Sequence, residues 1–433
     1  MVGQRAELIN AVAVADIALI LLVGVVFVRM AERLRQPPVI GEIVAGIMMG
    51  PSLLGLLPGH LTGLIFPVEA RPYLSLLGQV ALLLFMFGVG WEFDTGMLRC
   101  RGRSVTALAV SSMVLPFLLA LGLAVPLYQL HSEVSRHHVS FTSFALYLGV
   151  AMSITAFPVL ARIVADFRLQ NNRVGILATS GAAVCDVLAW CLLAVVLATV
   201  HAGGLSSFIA TIGYSALYVG VMAGLVRPAL RWALPRLSNG PARAYLALIV
   251  GAGVFLSSFA TSLIGLHSIF GAFAFGLAMP RGPTDSLSNS MLEPLERVSF
   301  LLLPVFFTVI GLSVDVASLD SVTLVEFLFI TLVGCLGKLL GAGLSARISG
   351  LSWRDAASVG ILMNTRGATE LVILNIGVGL GVLDGQLFTA MVLMTVVTTG
   401  MAGVLLPRRT QALENHVNAR STTNRYPMRS GRE

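Results

Sequence analysis

Apolar stretches of about twenty residues follow one another along almost the whole chain, and the short connections between them carry most of the arginines. The first stretch is INAVAVADIALILLVGVVFV at 9–28. A helix of about twenty apolar residues matches the hydrocarbon thickness of a bilayer. Within lipid every backbone N–H and C=O has to be satisfied internally, so such stretches cross as α-helices. Composition agrees with this reading. Of 433 residues, 56% are hydrophobic and 11% charged, whereas soluble domains carry roughly 25% charged residues. Mean hydropathy is +0.89. The fold class is therefore an all-α polytopic membrane protein. No small-residue cleavage site follows the first stretch, so it reads as a helix that stays. Cys100, Cys185, Cys191 and Cys335 have neither metal-ligand spacing nor the pattern of a disulfide framework, and no cofactor is expected.

Thirteen spans are read, at 9–29, 38–57, 72–92, 104–130, 139–165, 174–200, 206–226, 244–263, 266–280, 297–315, 320–346, 355–381 and 385–407. Cytoplasmic connections concentrate arginine and lysine. With the N-terminus outside, 23 basic residues fall in inner connections and the tail, against Arg5, Arg71 and Arg136 outside. That alternation gives an N-outside, C-cytoplasmic protein in contact with lipid; the bias to arginine over lysine suggests GC-rich bacterial coding and so the cell membrane. The alternation also explains the net charge of +7 without a nucleic-acid partner. The chain reads as one membrane domain over 1–407, with a basic tail at 408–433 expected to be disordered.

An odd number of spans allows two six-helix halves of opposite orientation, about 9–200 and 244–407, the inverted repeat of many secondary transporters. The fifth span of each half carries a breaker. In MSITAFPVLAR, Pro158 removes a backbone donor just after Thr155; in LMNTRGATELV, Asn364, Thr365 and Gly367 fall at mid-span. Matching interrupted helices point to an ion site at the membrane midplane, where freed carbonyls and half-helix ends supply partial charge. Two ordinary kinks are the plainer alternative for such residues.

Charges inside spans are costly, about 2.5–3.5 kcal/mol each at the bilayer centre on insertion scales, which makes them functional candidates. Asp186 is the lone acid of SGAAVCDVLAWCLLAVVL, and Lys338 is the chain's only lysine. A carboxylate binds either a proton or a dehydrated cation, since hard monovalent cations favour oxygen ligands. A protonated acid bonded to a neighbouring helix is the competing reading. Thr155 and Ser153, beside the break, offer hydroxyl or carbonyl ligands, or simply pack helices. Lys338 is read as a counter-charge or a second proton carrier. Arg366 and Glu370 are four apart, the spacing of an intrahelical ion pair, and read as holding the broken helix. Asp16 and Glu326 are expected to face a crevice or a subunit contact, Glu42 an access funnel or the interface, and His267 the solvated outer end of a helix.

Seven segments in order carry a family resemblance: QPPVIGEIVAGIMMGPSLLG at 36–55, LFMFGVGWEFD at 84–94, ITAFPVLARI at 154–163, HSIFGAFAFGLAMPR at 267–281, LPVFFTVIGLSVD at 303–315, GKLLGA at 337–342 and MNTRGATELVILNIG at 363–377. Together they resemble the monovalent cation:proton antiporter-2 family, with its sodium/hydrogen exchanger domain. The resemblance implies thirteen helices, a dimerisation domain and a mobile core domain, elevator-type alternating access and a homodimer. It implies that Asp186 binds the ion beside two crossed unwound helices, and that Lys338 neutralises the site. One position departs from the family pattern. The residue before the aspartate is usually Asp or Asn and here is Cys185, a poor ligand for Na⁺ or K⁺.

The function expected is secondary antiport of Na⁺ or K⁺ against protons, one carboxylate binding each in turn. A single acid at the site makes the exchange electroneutral. Two alternatives use the same scaffold: proton-driven transport of an organic solute, and a channel-like K⁺ efflux system. An enzyme is disfavoured, because the chain has no HExxH, no G-x-S-x-G elbow and no paired catalytic acids in one helix.

Overall fold

The computed structural model describes residues 2–406, apart from 35, 59–60, 93–101, 132–138, 171, 202–204, 239–244, 265 and 281–284. The expected C-terminal tail lies outside the described residues. Every regular element among those described is helical. In order they are α1 (Val2–Arg33), α2 (Pro38–Met49), α3 (Leu61–Ile65), α4 (Arg71–Glu92), α5 (Gly102–Leu130), α6 (Phe141–Ser153), α7 (Phe157–Asp166), α8 (Arg173–His201), α9 (Leu205–Val221), α10 (Arg227–Ser238), α11 (Leu246–Leu263), α12 (Ser268–Ala278), α13 (Asp285–Leu312), α14 (Ser321–Ile348), α15 (Trp353–Met363), α16 (Ala368–Gly379) and α17 (Gly385–Leu405). Nine helices among the described residues are long and apolar enough to cross a membrane, and 141–153, 268–278 and 369–379 are shorter apolar helices.

Two expected spans are each a pair of half-helices. The segment read as 139–165 is α6 and α7, parted at Ile154, whose backbone is extended (ψ 146°). The segment read as 355–381 is α15 and α16, parted at 364–367. Pro158 does not kink a continuous helix. It stands in the first turn of α7, where a missing N–H leaves no helical bond unmade.

The helices sort into two groups, densely packed within and sparsely between. One group holds α1, α2, α4, α11, α12 and α13; the other holds α5 to α8 and α14 to α17. Small residues set the closest crossings, as expected where helices associate without a hydrophobic driving force. A Cβ on Gly276 of α12 would lie 2.3 Å from Phe87 O of α4, and one on Gly90 of α4 would lie 2.3 Å from Phe273 O. In the second group a Cβ on Gly337 would meet Pro116 Cα at 2.7 Å, and one on Gly341 would meet Ser111 O at 2.5 Å. Backbone atoms cannot swing aside, so added methyls must push helices apart. Gly276→Ala is expected to cost about 1–3 kcal/mol. Gly122→Ala, with nothing within 4 Å of its Cβ, should be neutral. Thermal unfolding in detergent compares them, and equal melting temperatures would refute the close-packing assignment.

Candidate functional site

The two breaks cross each other. Ala156 N donates to Thr365 O (3.1 Å) and Thr155 Oγ1 donates to Met363 O (2.8 Å), so each unwound strand satisfies backbone groups of the other. Ala156 N, Thr365 O and Met363 O thereby recover partners at the breaks. Gly367 makes room at the crossing: a Cβ there would lie 2.6 Å from Val159 Cγ2, so that side chain would have to shift.

Three charged side chains converge on the crossing. Arg366 is fully buried and holds the end of α6, donating through Nη1 to Ala151 O (3.3 Å) and through Nη2 to Met152 O (2.7 Å). Its Nη1 also meets Glu370 Oε1 at 2.6 Å, both residues 0% exposed. Thr399 of α17 clamps the backbone of Arg366, accepting from its N–H (2.9 Å) and donating to its O (2.8 Å). The four-residue spacing of Arg366 and Glu370 therefore joins the unwound segment to the first turn of α16, rather than two turns of one helix. Lys338, also fully buried, donates through Nζ to Ser153 O (2.5 Å) and Thr155 Oγ1 (2.7 Å). Arg366 and Lys338 thus together cap the C-terminal carbonyls of α6, where the helix dipole is negative.

Asp186 lies on α8 at the other half-helix. Its Oδ2 accepts from Phe157 N at 3.2 Å, the first N–H of α7, where the dipole is positive. Its Oδ1 is buried with no hydrogen-bond partner, and the residue is 2% exposed. Neither bond recorded for the Lys338 ammonium goes to Asp186, though the two interact electrostatically. Ser153 and Cys185 are turned elsewhere. Ser153 Oγ donates to Val150 O of its own helix (2.8 Å), so what it presents to Lys338 is its carbonyl. Cys185 Sγ sits 3.3 Å from Ser112 Oγ and 3.6 Å from Ala109 O, packed on α5. Asn364 donates from Nδ2 to Cys335 Sγ (3.4 Å), leaving its Oδ1 buried and unpartnered; Thr365 Oγ1 donates to Leu362 O (2.8 Å). Thr399 and Phe157 were not among the sequence candidates; a threonine in an apolar helix and a backbone donor give no distinctive signal.

Two cavities lie between the helix groups, at opposite ends of the antiparallel pair α4 and α13. The larger, about 910 Å³, is lined by Arg29, Glu32, Glu42, Val159, Arg162 and Glu296 among others. It stops at Val159, two residues from Phe157. Glu42 therefore faces a cavity, and Arg162 lies 3.8 Å from Glu32 across it. The smaller, about 190 Å³, is lined by Ser75, Gln79, His267, Phe306, Val372 and Asn375 among others. Asp186 lines neither of these two cavities. His267 faces the small cavity while its Nδ1 accepts from Ile269 N (3.5 Å) as the cap of α12. Asp16 is buried at 3% exposure.

The bundle thus carries two crossed, interrupted helices, with a buried carboxylate at one half-helix N-terminus and cations at the other's C-terminus. Residues 17–411 match the family described as sodium/hydrogen exchanger, transmembrane, and the chain belongs to it. Relatives include the Na(+)/H(+) antiporter NhaS4 of Synechocystis, 38% identical over 90% of this chain and 94% of that protein. Cation/H(+) antiporter 15 of Arabidopsis thaliana is 37% identical over 90% of this chain but 47% of its own length. The K(+)/H(+) antiporter 1 of Saccharomyces cerevisiae is 30% identical over 85% and 43% respectively, so the chain spans about half the length of these two relatives. In fold it is similar to the sodium proton antiporter MjNhaP1 of Methanocaldococcus jannaschii, with a TM-score of 0.66 at 15% identity over 94% of this chain and 98% of that one.

Proposed function

We propose that the protein exchanges a monovalent cation, Na⁺ or K⁺, for protons across the membrane, with Asp186 as the one group that carries either. The observation that supports this most is the free Oδ1 of a buried carboxyl beside an unwound crossing. A proton or a cation occupies that acceptor, and one charge on one carboxyl cannot hold both. The N-terminus of α7 and the ammonium of Lys338 offset the carboxylate's charge. The Thr155 hydroxyl, beside the break, supplies a further oxygen. An empty, ionised Asp186 is expensive to enclose, whereas a proton or a cation neutralises it, so the site closes only when loaded. The large cavity, which reaches Val159, marks the approach from the arginine-bearing side and the small cavity the opposite approach; Asp186 lines neither, so movement of the second helix group must open each path to it. Thirteen spans in two inverted halves, with the N-terminus outside, place the crossing at the midplane; a homodimer holds the first helix group still while the second moves.

The test is reconstitution into liposomes with a trapped pH dye and a scan of monovalent cations across pH. Na⁺ or K⁺ should move protons the opposite way, at a rate little changed by an imposed membrane potential. Strong acceleration by the potential would refute one-for-one exchange. Proton movement driven only by an organic solute, or ion flux without protons, would refute cation antiport altogether.

Lys338→Ala is expected to shift the pH midpoint of exchange by about one unit, through loss of a positive charge near Asp186, with smaller effect on folding. A pH profile superimposable on that of the wild type would remove Lys338 from the site's electrostatics.

A further inference from the structure

A second cluster of ionisable side chains lies away from the crossing, where the end of α5 meets the starts of α14 and α17. His131 follows α5 directly and is 4% exposed. Its Nδ1 lies 2.6 Å from Asp384 Oδ2 and its Nε2 lies 3.1 Å from Glu326 Oε2. Both ring nitrogens therefore face carboxylate oxygens. A neutral imidazole has one N–H and can donate to only one of them, while the imidazolium donates to both. Asp384 is held in place by its other oxygen, which accepts from Leu387 N at 2.9 Å and caps α17. Glu326, 6% exposed, has its Oε1 buried without a partner. Its Oε2 turns inward to His131.

We propose that His131, Glu326 and Asp384 form a second proton-binding site, whose protonated form ties α5, α14 and α17 together and sets the pH range of exchange. These three helices build the transport site elsewhere along their length. Lys338 lies twelve positions beyond Glu326 on α14, about 18 Å at the helical rise. Gly337 and Gly341 pack α14 on α5, and α17 supplies Thr399 to Arg366. The cluster sits at the opposite end of the bundle from the large cavity, so it reads the proton concentration on that side.

Burial by itself would push the His131 imidazole down, but its bonds to Asp384 and Glu326 and their charges outweigh this and hold it above its ordinary 6.5. Asp384 is held below its ordinary 3.8: burial would raise it, and the bonds from His131 and Leu387 prevail. The sign follows. The histidine's contribution to stability is complete below its ordinary pKa and is lost as pH rises through the raised value; Asp384 loses its contribution only in strong acid. Of the other groups on these elements, Tyr128 donates to Val139 O (2.8 Å) and Asp320 accepts from Thr323 N (2.7 Å) as the cap of α14. Glu133, Arg136, His137 and His138 fall at 132–138, outside the described residues.

His131→Gln and Glu326→Gln are compared with the wild type by thermal unfolding in detergent, and by exchange in liposomes, each from mildly acid to alkaline pH. The wild type should lose melting temperature towards alkaline pH, His131→Gln should lack that component, and Glu326→Gln should show it about one pH unit lower. The alkaline limit of exchange should move in parallel. If His131→Gln does not fold, Glu326→Gln decides by the same shift. Unfolding profiles identical in shape for all three proteins would overturn the proton site, and shifted unfolding with an unmoved exchange profile would overturn its control of transport. The exchange arm rests on the antiport reading; the unfolding arm does not. Absent exchange in the wild type together with shifted unfolding would refute that reading and support the proton site.

Discussion

Asp186→Asn is expected to abolish coupled exchange while leaving the protein folded and at least as stable as the wild type. The amide keeps the side chain's shape and still offers an oxygen to Phe157 N, the bond that ties α8 to α7 at 3.2 Å in the wild type. What it loses is the negative charge and the ability to titrate. Enclosing an unpaired carboxylate costs several kcal/mol, so a neutral isostere relieves the fold of that burden. Exchange measured with the pH dye should fall to the level of protein-free liposomes, and detergent melting should hold or rise. Full exchange by this variant would exclude Asp186 as the carrier.

The second large effect is structural. Arg366→Met removes the ion-pair partner of the buried Glu370, leaving it only the charge of Lys338, and leaves Ala151 O and Met152 O without their guanidinium donors. Removing one partner of a buried pair costs about 3–5 kcal/mol. The variant should therefore melt far below the wild type or fail to accumulate. Arg366→Lys should not rescue it, since a point charge cannot reach two carbonyls and a carboxylate with one planar fork. Combining Arg366→Met with Glu370→Met removes the orphaned acid and should recover part of the loss. A single Arg366→Met variant with unchanged melting would show that the pair does not hold the crossing.

Sequence and structure part company at identifiable residues. Apolar length located the helices, because a bilayer fixes that length. Pro158 and Gly367 located the breaks, because a proline is favoured in the first turn of a new helix and a glycine weakens a helix interior, preferences that need no context. The spacing of Arg366 and Glu370 announced their pairing. Local signals could not show where Lys338 points, since its partners Ser153 and Thr155 lie 185 and 183 residues away. Nor could they show that Cys185 turns to α5 rather than the crossing, because a cysteine suits any tight contact. His131 and Asp384 were invisible for the same reason: 253 residues separate them, and each alone resembles an ordinary polar residue at a helix end. Glu326 is bonded to His131 across 195 residues, a partner that no local pattern around Glu326 signals.

Competition between H⁺ and a metal ion for one carboxyl is measured most directly by proton release on binding. Purified protein in weakly buffered detergent solution, at a pH where Asp186 is protonated, is titrated with Na⁺ and with K⁺ while the solution pH is followed. Wild-type protein should release about one proton per chain on saturation with the transported cation, and Asp186→Asn should release none. Saturable cation binding that releases no proton, or equal release from the Asp186→Asn variant, would contradict a shared carboxyl.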